Sequence, residues 1–102
     1  MKNIYKIDWT IEAVSNLNLI IDYLTIRWTD KEIRNFYKLL DKRLELISKN
    51  PHTFPNSDFK TDVKRCVLSK QTTIYYEVKK DSIIILSLFD NRKEPGSIKI
   101  SN

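Results

Sequence analysis

The spacing of apolar residues changes period halfway along the chain. Val14, Leu17, Ile21, Leu24 and Trp28 recur three and four apart, as one stripe of a long helix does. Thr10 stands where a helix cap belongs, and Glu12 follows early enough to complement the positive N-terminal end. The run Thr29-Asp30-Lys31-Glu32 has the form of a capping box, so a second helix is predicted where the first stops. Its stripe is Ile33, Tyr37, Leu40, Leu44 and Ile47, and Asn50-Pro51 ends it, because the residue before proline avoids the helical region. The two helices form an αα-hairpin with a very short connection.

Flanking segments read as strands. From Met1 to Asp8, Ile4 and Lys6 fall on one side and Tyr5 and Ile7 on the other. Val63–Leu68, Thr73–Lys79 and Ile83–Phe89 are rich in β-branched and aromatic residues, and Lys80-Asp81 is short enough to join the last two as a hairpin. The run Ile83-Ile84-Ile85-Leu86 is apolar on both faces, which places that strand in the sheet centre. Residues 51–62 form a polar connection and 96–102 a loose tail. The predicted class is α+β in the order β-α-α-β-β-β: a small antiparallel sheet, with an N-terminal strand and a two-helix hairpin packed on one face. Residues 1–95 make a single domain.

Composition narrows the function classes. At 102 residues the chain supports one core, and its single glycine argues against a Gly-rich phosphate cradle. No apolar run approaches the ~20 residues of a membrane span, and the N-terminus lacks a signal-peptide core. Cys66 has no second cysteine to pair with, which fits a reducing cytoplasm, and with His52 as the one histidine there is no zinc ligand set. No metal or other cofactor is therefore expected. The net charge of +5 is spread over both halves, which suits an acidic protein partner or a nucleic acid.

Candidate chemistry gathers late in the chain. The last strand ends in Asp90, Asn91, Arg92 and Lys93, and Arg65 opens an earlier strand. If these strand ends are neighbours, the planar forks of Arg65 and Arg92 can share a phosphate or carboxylate. Tyr75 and Tyr76 point to opposite faces, one into the core and one outward. Phe54-Pro55 in the polar connection reads as a staple holding that loop to the core.

These pieces resemble the RelE/ParE superfamily of toxins from bacterial type II toxin–antitoxin systems. The resemblance runs from Trp9 to Pro95 through "WTIEA", "LNLIIDYL", "NPHTFP", Arg65, "IYYEV" and "LFDNRKEP". It implies a growth-inhibiting toxin, neutralised by a small, partly disordered antitoxin whose acidic segment wraps it. Trp28, Arg34 and Lys38 are the antitoxin-contact candidates. In the RelE branch, which cleaves messenger RNA on the ribosome, basic residues and a C-terminal tyrosine carry the chemistry. Here Arg92 matches the arginine ending the last strand and Lys70 is the nearest substitute for a second. The tail "GSIKISN" has no tyrosine, only Lys99 as an ionisable side chain. "NPHTFP", the tyrosine pair and the basic strand end followed by proline lean to the ParE branch, which poisons DNA gyrase without chemistry of its own. The toxicity candidates are Arg65, Lys70, Tyr76, Arg92 and Lys93. A ribosome-dependent nuclease and a non-toxic antitoxin-binding remnant are the alternatives.

Overall fold

The structure, a computed structural model, describes residues 4–27, 29–57 and 62–90. Strand β1 (Lys6–Trp9) leads into helices α1 (Ile11–Arg27) and α2 (Asp30–Lys49), then a single 3-10 turn at Pro51–Thr53. Strands β2 (Lys64–Val67), β3 (Thr72–Val78) and β4 (Ser82–Asp90) follow. The sheet order is β1-β4-β3-β2. This is the expected element order, with β4 inside the sheet, and one correction: the sheet is mixed. β1 runs parallel to β4, with Lys6 opposite Ser82 and Trp9 opposite Ile85, while β2–β3 and β3–β4 are antiparallel. A parallel pair requires a long crossover, and the whole αα-hairpin lies between β1 and β4 in sequence.

The core lies between the helices and one sheet face. Ile74, Tyr76, Ile83 and Ile85 are fully buried against Ile20, Leu24, Phe36, Leu40 and Ile47. Two predicted stripes need correction. On α1 the buried residues are Ala13, Ile20 and Leu24, and Val14 is exposed. Its apolar residues are scattered around most of the helix among polar ones, so spacing alone leaves its rotation open, and Thr10 sets it. The Ala13 N–H donates to Thr10 Oγ1 at 3.0 Å, closing the predicted cap. The same hydroxyl faces the Ile85 and Leu86 carbonyls at 3.0 and 3.1 Å, which ties the start of the helix to β4. On α2, Phe36 takes the core position expected of Tyr37, which is exposed.

The capping box at Thr29 is also not formed as predicted. Its side chain makes no cap hydrogen bond; the Glu32 and Ile33 amides instead donate to the Thr29 carbonyl, at 3.0 and 3.3 Å. The helix starts where expected, with backbone in place of the hydroxyl.

The connection after α2 is tied down as its aromatic and proline residues suggest. The Phe54 ring packs edge-on against Tyr76, with ring centroids 6.4 Å apart, and the Tyr76 hydroxyl donates to the Pro51 carbonyl at 2.8 Å. Lys64 Nζ donates to the Phe54 carbonyl and to Asn56 Oδ1, both at 3.1 Å. The Arg65 amide donates to the Pro55 carbonyl at 2.9 Å. This segment thereby covers the outer edge of β2 at Lys64 and Arg65, a place where an unpaired strand would otherwise invite another chain.

Candidate functional site

The sheet face turned away from the helices is where the chain presents side chains. Cross-strand pairing sets its rows: Arg65, Tyr75 and Ser87 form one, and Val67, Thr73 and Phe89 the next. Glu77 and Ile84 are paired further along, with Asp8 of β1 beside Ile84. Most of these residues are half-buried and Val67 is exposed. The face is therefore mixed: aromatic and branched apolar groups surround one guanidinium at Arg65, and the carboxylates of Glu77 and Asp8 lie further along.

A β-bulge shapes this face. Tyr75 pairs with Ser87 but Tyr76 pairs with Ile85, so Leu86 has no opposite residue. The bulge coincides with the docking point of α1. There the Thr10 amide donates to the Ile85 carbonyl at 3.2 Å, and the Leu88 amide donates to Asn16 Oδ1 at 3.0 Å. Asn16 thus satisfies a β4 amide beyond the end of β1, as a neighbouring strand would. Sequence alone did not single it out, because Asn16 is one of several polar residues along α1, with Ser15, Asn18, Asp22 and Thr25.

The sequence-based candidates fall in different places. Arg65 lies on the open face, half-buried, and its Nε is buried without a hydrogen-bond partner. Lys70 is exposed in the turn between β2 and β3. Tyr76 is corrected: at 0% exposure it belongs wholly to the core, and Tyr75 is the member of the pair on the open face. Arg34 and Lys38 are exposed on α2. Trp28, Arg92 and Lys93 lie outside the described residues.

The strand order sets Arg65 apart from the described end of β4. β3 separates β2 from β4, and Arg65 is level with Ser87, three residues before Asp90 and so ~10 Å along the strand. The β2–β3 turn is nearer that end, because Asp90 pairs with Thr72, which follows the turn carrying Lys70. Asp90 is buried and accepts a hydrogen bond from Thr72 Oγ1 at 2.8 Å. Burial and the Thr72 bond make Asp90 a link between the end of β4 and the start of β3.

Two core groups titrate abnormally. Burial pushes the Tyr76 phenol far above its ordinary value of 10.0, and the adjacent Cys66 adds to the shift. Burial also raises the Cys66 thiol above 9.0, against the opposing pull of the Arg43 cation. Both are neutral when protonated, so the unfolded chain loses these protons first as pH rises. Their contribution to stability is complete below about pH 9 and is lost progressively as pH climbs towards the folded values, by up to about 1.4 kcal/mol per pH unit for each group. Urea midpoints measured from pH 8 to 11 should therefore fall, and Tyr76→Phe should flatten the part beginning near 10. An unchanged slope in that variant would mean that the phenol is solvated.

The comparison that decides the family covers most of the chain. Residues 7–95 match the model described as ParE toxin of type II toxin–antitoxin system, parDE. The chain belongs to the ParE toxin family. It is accordingly a ParE-type toxin of a toxin–antitoxin system, within the RelE/ParE superfamily. The fold agrees. The chromosomal ParDE toxin–antitoxin system of P. aeruginosa contains a chain that superposes with a TM-score of 0.73 at 14% identity, covering 87% of this chain and 98% of that one. The conserved hypothetical protein HP0894 of Helicobacter pylori gives 0.57 at 16% identity, with 87% and 97% covered. The E. coli DinJ–YafQ complex gives 0.55 at 12% identity, with 86% and 94% covered. At such identities these likenesses speak for the fold. No curated protein matches the sequence. Among the described residues no helix is long and apolar enough to cross a membrane, and no group of His, Cys, Asp or Glu is arranged to hold a metal ion.

Proposed function

We propose that this ParE-family toxin arrests bacterial growth by binding DNA gyrase and trapping it on cleaved DNA, without bond-making chemistry of its own. The match to the ParE toxin family across residues 7–95 carries this reading. The open sheet face supports it with half-buried aromatic and apolar groups around Arg65, a composition suited to seating a protein surface. Arg65, Lys70, Arg92 and Lys93 are the residues through which the target is gripped. The toxin acts in the cytoplasm, where gyrase works.

The antitoxin is a small protein whose partly disordered segment folds as it wraps the toxin. The outer face of α1 supports this. Ile11 and Ile26 are 88% and 80% exposed, with Val14 and Leu19 also exposed, and such apolar positions on a small helix suit coverage by a partner.

Inducing the chain alone in a bacterial host and assaying the extracts tests the function. Growth arrest with gyrase–DNA cleavage complexes and intact messages is expected. Arg92→Ala should keep the fold and antitoxin binding while lowering toxicity by an order of magnitude or more. Codon-dependent breaks in translated messages, lost in that variant, would instead establish a ribosome-dependent nuclease. Normal growth with antitoxin binding retained would leave a non-toxic remnant.

A further inference from the structure

The side of α2 opposite the core carries a line of cations that the proposed toxic function leaves unused. Lys31, Arg34, Lys38 and Lys42 are spaced three, four and four residues apart, and all are exposed. At about 100° of turn per residue they fall within one arc of roughly 80°, and over about 16 Å of helix length. The core side of the same helix is set by Phe36, Leu40 and Ile47, so the arc points straight into solvent.

Among the described residues none of the four is held in an ion pair, although Asp30, Asp41 and Glu45 lie three or four residues from Arg34, Lys38 and Lys42. Among the described residues the ion pairs join Lys6 to Asp8, Lys49 to Glu45 and Lys79 to Glu77. Glu45, which shares the arc, is engaged by Lys49 at 3.1 Å. Asp30 and Asp41 lie along one side of the stripe without pairing to it. Four like charges set about 6 Å from one to the next repel one another, at a cost of a few tenths of a kcal/mol per pair. A polyanion laid along the helix would relieve that repulsion.

From this stripe we infer a second binding surface: α2 presents Lys31, Arg34, Lys38 and Lys42 to the phosphate backbone of duplex nucleic acid. Composition decides for nucleic acid over an acidic peptide. Protein interfaces are depleted of lysine at their centres and rely on aromatic or apolar anchors. This stripe is three lysines and an arginine, with Glu45 at its C-terminal end and no apolar residue within it. Phosphate backbones are contacted by lysine and arginine without regard to sequence. Arg34 and Lys38, grouped with Trp28 as antitoxin contacts on sequence grounds, are thereby assigned to this surface. The surface would hold the toxin, or its complex with the antitoxin, against DNA.

The test is the salt dependence of binding of the purified full chain to a short, fluorescently labelled duplex DNA, followed by anisotropy between about 50 and 200 mM salt. Each phosphate contact contributes about 0.9 to the slope of log K against log salt, so four give about 3.6. Lys38→Gln with Lys42→Gln should lower the slope by about 1.8 and weaken binding at every sequence tried. Lys79→Gln with Lys80→Gln removes the same formal charge from the β3–β4 turn and should leave the slope unchanged. Equal losses from both pairs would show only the attraction of net charge and overturn the assignment. So would α2 variants that keep duplex binding while losing a polyglutamate peptide, which would make the stripe an acidic-peptide surface. Neither outcome bears on gyrase trapping, which is read separately from cleavage complexes.

Discussion

Arg65→Leu is expected to lower toxicity by an order of magnitude or more, while leaving the protein as stable as the parent or about 1 kcal/mol more stable. Most substitutions at a half-buried position destabilise, so the sign is informative. Its basis is the Arg65 Nε, buried on the open sheet face with no hydrogen-bond partner. A buried donor left unpaired costs about 1–3 kcal/mol, and leucine removes that donor while keeping an apolar stem beside Tyr75. The loss of toxicity follows from the proposal that Arg65 is one of the residues gripping the target. Stability is read from urea denaturation and toxicity from growth after induction at matched expression. A variant that is less stable yet fully toxic would make Arg65 a packing residue at the sheet rim.

The largest stability effect is expected at Ile85. It is fully buried, lies opposite Trp9 on one neighbouring strand and Tyr76 on the other, and its carbonyl accepts from the Thr10 amide. Ile85→Ala removes branched volume where three elements meet, and should cost about 2–5 kcal/mol. Against a total of about 5–15 kcal/mol for a domain of this kind, that loss approaches unfolding. Ile84→Ala, one residue away on the half-buried open face, should cost clearly less. The contrast between the two urea midpoints measures which face is core. Equal effects would mean that the open face is packed in solution as tightly as the helical face.

The period-3.6 stripes located both helices, but α1 shows what spacing leaves open. With Ile11, Val14, Leu17, Leu19, Ile20, Ile21, Leu24 and Ile26 along one helix, several rotations bury a comparable apolar area. The observed one is selected by Thr10, whose amide and hydroxyl reach β4 carbonyls some 75 residues away in sequence. No local pattern carries that information. The capping box at Thr29 erred in the opposite way: its residues fit the motif, yet the Thr29 carbonyl already holds the Glu32 and Ile33 amides.

The candidate site was legible only in part, for a related reason. Alternation correctly sent Tyr75 and Tyr76 to opposite faces, but which one enters the core depends on the register of β3 against β4. That register shifts at the Leu86 bulge. Likewise, Arg65 and the end of β4 suggested one site because both were read as strand ends. The order β1-β4-β3-β2 puts a strand between them.

By itself the sequence determined the element order, the helical hairpin with its abrupt turn, the central position of the Ile83–Phe89 run and the family resemblance. Each of these is written in residue spacing or composition over a short stretch of chain. Only the tertiary structure decided the parallel pairing of β1, the rotation of α1, the burial of Tyr76 and the separation of Arg65 from the end of β4. Those depend on hydrogen bonds and packing between residues distant in sequence, whose energies no local period encodes.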